Sequence, residues 1–175
     1  NASLRRVNLG GNMTYVNPGL FKGCRNAYSN ILYDGIIEIG ENAFNGCAGF
    51  DNVQIPGTVT KIGDSAFAGS TGLTEVVLWT SVPPAAQENT FDEVIYANAL
   101  LAVPVDGLDT YKSATCWKNF KNYEGYDNSG IEDITSEDKT PVGYYTVFGI
   151  RSDRPIEGQM NIVVFSDGSV KKIKY

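Results

Sequence analysis

Three cysteines, several carboxylate pairs and a complete lack of histidine set the chemistry this 175-residue chain could perform. Without histidine there is no His-dependent triad and no imidazole metal site, because no other side chain titrates near neutrality unless strongly shifted. Catalysis is narrowed by this rather than excluded. Cys116, just before Trp117, has no histidine to activate it and reads as a buried thiol rather than a nucleophile. A pair of carboxylates about 5–9 Å apart across a cleft could hydrolyse a glycoside. Glu38/Glu41 and Asp92/Glu93, however, fall at turn positions, where a solvated face is the simpler reading. Asp127-Asn128-Ser129-Gly130 has a superficial calcium-loop look but lacks the alternating ligands and closing glutamate of an EF-hand. Asn1-Ala2-Ser3 and Asn12-Met13-Thr14 fit the glycosylation acceptor pattern, which occurs often by chance. No catalytic residue, cofactor or metal site is expected.

The elements that hold these residues repeat with a period of 23. Ile39-Gly40, Ala43-Phe44 and Gly46 recur as Ile62-Gly63, Ala66-Phe67 and Gly69, while Phe50, Val53 and Ile55 recur as Leu73, Val76 and Leu78. Backwards, Val16, Leu20, Phe21, Gly23 and Cys24 match Ile39, Ala43, Phe44, Gly46 and Cys47, and Leu4, Val7 and Leu9 match Ala27, Asn30 and Leu32. After Leu78 the pattern slips by one or two residues: Phe91 falls in the phenylalanine column, and Leu101-x-Val103-Pro104 echoes Val53-x-Ile55-Pro56.

Each unit holds two short stretches that alternate like half-buried strands, then a small aromatic turn. Gly40 and Gly63 are expected where the chain turns sharply. No unit can bury its apolar face alone, so neighbours must stack into a solenoid with the Phe44/Phe67 column in its core. Cys24 and Cys47 share one column on adjacent rungs roughly 5 Å apart, which admits either a disulfide or a ladder of small buried thiols. Leu108, Tyr111, Trp117 and Phe120 have the mixed spacing of a short amphipathic helix, as needed over the last rung.

Net charge is −6, and the acidity concentrates at 123–140, where Glu124, Asp127, Glu132, Asp133, Glu137 and Asp138 face only Lys139. That stretch reads as a solvated linker. Beyond it, Tyr144-x-Thr146-x-Phe148, Asn161–Phe165 and Val170–Lys174 read as strands, the last two joined across Asp167-Gly168 by a hairpin turn. The expected organisation is a repeat array over 1–122 with its cap at about 104–122, a linker over 123–140 and a small antiparallel β module over 141–175. Acidity disfavours nucleic acid, and no apolar run approaches the ~20 residues of a membrane span. Because residue 1 already sits inside a repeat, the chain reads as a piece of something longer.

The Ile-Gly-x-x-Ala-Phe-x-Gly-Cys and Val-x-Ile-Pro motifs between Ile39 and Leu78 resemble the BspA-like, or treponemal-type, leucine-rich repeats of bacterial surface proteins. The resemblance covers roughly residues 1–122. Asn30, Ala27 and Asn17-Pro18-Gly19 depart from its columns. The segment from Leu101 to Phe120 resembles the way such arrays end in gut Bacteroidetes, and the tail resembles a short β module of exported proteins from that group. The resemblance implies a mostly β solenoid with short helical turns, located extracellularly or on the outer cell surface, non-enzymatic, and adhesive towards a protein partner.

The outward positions of the strands would carry that recognition. Arg6, Tyr28, Asp51 and Gln54 face outward, Ile31 and Val77 share the Gln54 column, and Tyr33 and Trp79 lie one step past the strand. Ile31, Tyr33, Val77 and Trp79 are more apolar than solvent selects, and aromatics are enriched at recognition hot spots. The candidate face is Tyr28, Ile31, Tyr33, Gln54, Val77 and Trp79. Its alternative occupant is a glycan stacked on Tyr33 and Trp79.

Overall fold

The computed structural model describes residues 4, 7–8, 13–27, 30–32, 34–126, 141–146, 151–152, 154–155, 160–165 and 170–174. The chain divides into two compact units, Asn1–Tyr126 and Asp127–Tyr175.

In the first unit the strand stretches of successive repeats pair side by side. A six-stranded parallel sheet runs β1 (Val7–Asn8), β3 (Asn30–Ile31), β5 (Asn52–Ile55), β7 (Glu75–Leu78), β8 (Leu100–Pro104) and β9 (Asn122–Tyr126). A second parallel ladder joins β2 (Tyr15–Val16), β4 (Glu38–Ile39) and β6 (Lys61–Ile62). Register follows the sequence period. Val7 pairs with Asn30, Ile31 with Gln54 and Val53 with Val76, and then the offset changes as Val76 pairs with Leu101 and Leu101 with Tyr123. Val53, Ile55, Val76, Leu78, Leu101 and Val103 fill the core from one face, and Val16, Ile39 and Ile62 from the other.

Between the two ladders the turns are themselves stitched rung to rung. Phe21 N–H donates to the Ala43 carbonyl at 2.8 Å, Phe44 N–H to Ala66 at 2.8 Å and Phe67 N–H to Thr90 at 3.0 Å. Above these bonds the rings of Phe21, Phe44, Phe67 and Phe91 stack at 5.2–5.3 Å with planes within 12°. The parallel stack ends where Trp117, Phe120 and Tyr96 meet Phe91 edge-on, at 61–73°. Edge-to-face contact satisfies the exposed π face of the last ring and closes the column.

Gly63 opens a turn, its carbonyl accepting the Ala66 N–H at 3.3 Å, and it is also needed for closeness: a Cβ there would lie 2.5 Å from the Glu41 nitrogen of the rung before. Positive φ belongs instead to Gly23, Gly46 and Gly69, three residues later in each rung than the Ala column begins. The turns expected at Gly40 and Gly63 do open there, the Ala43 N–H closing the first onto the Gly40 carbonyl at 3.2 Å.

The cap is not one helix. It comprises α1 (Glu93–Asn98), α2 (Leu108–Ser113) and a 3₁₀ turn at Trp117–Asn119, with Cys116 at φ 71° breaking the helical path between Tyr111 and Trp117. Tyr111, Trp117 and Phe120 are buried beneath it. Residues 123–126, read from sequence as the start of a linker, are a strand: Tyr123 turns inward to the core while Asn122 and Glu124 stay exposed. Residues 127–140 lie outside the described residues.

The second unit contains an antiparallel sheet in the order β11 (Arg151–Ser152), β10 (Pro141–Thr146), β12 (Met160–Phe165), β13 (Val170–Lys174). Val163 and Phe165 are buried, with Tyr144 packed against them. β11 has no counterpart in the sequence reading, and Phe148 and the Asp167-Gly168 turn lie outside the described residues.

Candidate functional site

Carboxylates that could have been catalytic are each engaged structurally. Glu38 pairs with Lys61 at 2.6 Å, Glu41 accepts the Asn42 amide at 2.9 Å, and Asp92 accepts the Gly69 N–H. In the two rungs before, Gly23 and Gly46 donate the matching N–H to the carbonyls of Asn45 and Ala68. The Asp92 side chain thus replaces a backbone acceptor displaced by the slip in period. Glu93 opens α1. All three cysteines are buried thiols with no disulfide among them, so the column reading of small thiols describes Cys24 and Cys47. Burial pushes the Cys116 thiol up to about 11, the opposite of nucleophile activation. Among the described residues no group of three or more acidic, cysteine or histidine side chains could hold a metal.

What the fold does build is a surface. Alternation along the strands directs Gln54, Val77, Ala102 and Glu124 to the outer face of the six-stranded sheet, in one register row that starts with Asn8 and Ile31. A second row carries Asn52, Glu75, Leu100 and Asn122. Gln54 is half-buried, as is Trp79, just past β7. Tyr28 and Tyr33 lie outside the described residues, and of Ile31 only the backbone register is described.

Val77 corrects the reading of an exposed apolar residue. It lies outside the core cluster yet is only 7% exposed, as is Ala102 beside it. Both are short side chains flanked in the row by Gln54 and Glu124, and Glu75 and Trp79 stand two residues to either side of Val77; taller neighbours wall them in. The floor of the face is therefore apolar and its rim polar. The indole N–H of Trp79 is buried without an acceptor among the described residues.

The loop that follows β7 is pinned by side chains of later elements. Tyr126 donates its hydroxyl to the Leu78 carbonyl at 2.6 Å, Tyr111 to Thr80 at 3.0 Å, and Ser81 to the Asp106 carboxylate at 2.7 Å. Burial, and then Asp106, push the Tyr126 phenol upward, which keeps it a donor. Val82, four residues past β7, and Val105, directly after β8, are 72% and 56% exposed. Sequence reading missed Glu75, Ala102, Glu124 and Tyr126 as parts of the face.

No helix among the described residues is long and apolar enough to cross a membrane. No curated protein matches the chain. The model of the BspA type leucine rich repeat region matches residues 1–98 with six copies. That span holds the parallel ladders, the phenylalanine stack and the turn hydrogen bonds as far as α1. Covering more than half of the chain with the same repeat that its backbone registers follow, the match places this protein in the BspA-type leucine-rich-repeat family.

Proposed function

We propose that this chain is a non-enzymatic recognition protein, exported to the cell surface, that docks a protein partner on the outer strand face of a repeat solenoid. The observation carrying this reading is the continuous backbone row Asn8, Ile31, Gln54, Val77, Ala102, Glu124, whose last four side chains form one surface around the small, buried Val77 and Ala102. Leucine-rich repeats suit protein interaction because stacked rungs offer broad, distributed contacts rather than a chemical pocket. Trp79 at the rim supplies an amphipathic aromatic of the kind that anchors interfaces. Tyr28 and Tyr33 belong to the same proposed face.

The test is a binding screen of the full chain against immobilised extracellular-matrix proteins and a glycan array, run beside a Gln54→Ala, Trp79→Ala variant. A protein hit weakened by the variant supports the reading. A glycan hit with the same sensitivity replaces the protein partner by a carbohydrate, and a hit indifferent to the variant moves recognition off the strand face.

A further inference from the structure

Among the described residues the strand face carries acidic side chains that no ion pair engages. Asp51 and Glu124 are exposed and Glu75 is half-buried; Glu75 stands two residues from Val77, Glu124 lies opposite Ala102 and Asp51 directly precedes β5. Glu75 stands beside Asn52 in register, and Asn52 donates its amide to Asp51 at 2.9 Å, which ties the two acidic positions together. Glu124 projects from β9 opposite Ala102. Among the described residues the ion pairs, Lys61 with Glu38 and Lys118 with Glu88, lie on other parts of the molecule. Lys121, immediately before β9, is the lysine nearest this margin in sequence.

We infer that the partner meets this face with a lysine- or arginine-rich surface, the cations seating against Asp51, Glu75 and Glu124. This rests on the strand-face reading above and adds the chemistry of the partner to it. Burial, followed by Glu124 and Asp51, raises the proton affinity of Glu75, so its charge is costly in the free protein. A cation within about 4–6 Å removes that cost, and displacing water from a half-buried carboxylate strengthens the attraction. Charge at the rim also steers association and discriminates against acidic partners.

The test uses the full chain and a fluorescent oligolysine peptide at physiological salt, where charges more than about 8 Å apart are largely screened. One variant neutralises the face (Asp51→Asn, Glu75→Gln, Glu124→Gln). A control variant neutralises the acidic column of the turns (Glu41→Gln, Asp64→Asn, Glu88→Gln), so both lose the same net charge. The expected result is about tenfold weaker peptide binding for the face variant and about twofold or less for the control. Equal weakening by both, or none by either, overturns the inference, because the probe is then reading net charge or another site. A monomer–dimer equilibrium in sedimentation that only the face variant abolishes also overturns it, making a second copy the occupant. With a protein hit from the screen, loss of binding in Gln54→Ala, Trp79→Ala but not in the face variant would reject the cationic partner and keep the strand face. Indifference to both would reject the strand face itself.

Discussion

Ser70 and Cys47 make the same contact one rung apart. Ser70 Oγ donates to the Phe44 carbonyl at 2.7 Å, and Cys47 Sγ donates to the Phe21 carbonyl at 3.2 Å. Ser70 Oγ also accepts the Cys47 N–H at 3.2 Å. The column therefore serves a buried carbonyl and a buried N–H in each turn, and its occupant is chosen for being small and bearing a donor.

Ser70→Ala removes two buried hydrogen bonds, leaving the Cys47 N–H and the Phe44 carbonyl only their 3.2 Å bond to each other, and is expected to cost about 1–3 kcal/mol. Cys47→Ser keeps both contacts and should change stability by less than about 1 kcal/mol. Urea denaturation of the two variants checks this, and equal losses would remove the hydrogen-bond role.

Phe67 sits between Phe44 and Phe91 at 5.3 and 5.2 Å and is fully buried. Phe67→Ala should cost about 3–5 kcal/mol, since neighbouring rings are held in register by backbone bonds and cannot collapse into the gap. A loss below about 1 kcal/mol in urea titration would mean that the stack relaxes around the vacancy.

The phenylalanine column was legible in the sequence because stacking forces self-similarity: Phe44 and Phe67 must recur wherever a rung recurs. The strand register followed from the same cause, through the slip that carries Val76 to Leu101. β9 was not legible, since Glu124 and Gly125 are poor strand formers placed at the start of an acid-rich run, and only pairing with β8 explains them. The burial of Val77 was illegible for another reason. Alternation states which way a side chain points, whereas exposure on an outer face depends on the height of Gln54, Glu75 and Trp79 around it.

Trp79 keeps an indole N–H buried without an acceptor among the described residues. Trp79→Phe deletes the donor while retaining much of the ring, so stability should be unchanged or rise by up to about 1 kcal/mol. Thermal or urea unfolding measures this; a clear loss would show that the larger ring is needed for packing.

Burial, followed by the neighbouring Cys24, pushes the Cys47 thiol up to about 12, and burial pushes Cys116 up to about 11. Neither supplies thiolate near neutral pH. In the folded protein both should resist Ellman's reagent at mildly alkaline pH and react only as urea unfolds the chain; fast labelling of either one, located by peptide mapping, would contradict their burial.

Glu75 sets stability against recognition on one face. Its carboxyl is held above the ordinary range, first by burial, then by Glu124 and Asp51. For a group whose folded-state pKa lies above its unfolded value, the protonated form favours the folded state. That contribution is full below the unfolded value, about 4.3, and is lost as pH rises through the folded one. At neutral pH the ionised Glu75 therefore weighs against the fold. Glu75→Gln should raise the urea midpoint at pH 7, and the gain should shrink as pH falls to the ordinary glutamate range. An equal gain at both pH values would assign the effect to packing instead of charge. The same substitution belongs to the variant expected to lose cationic peptide, so a more stable protein that binds less is the outcome predicted for this position.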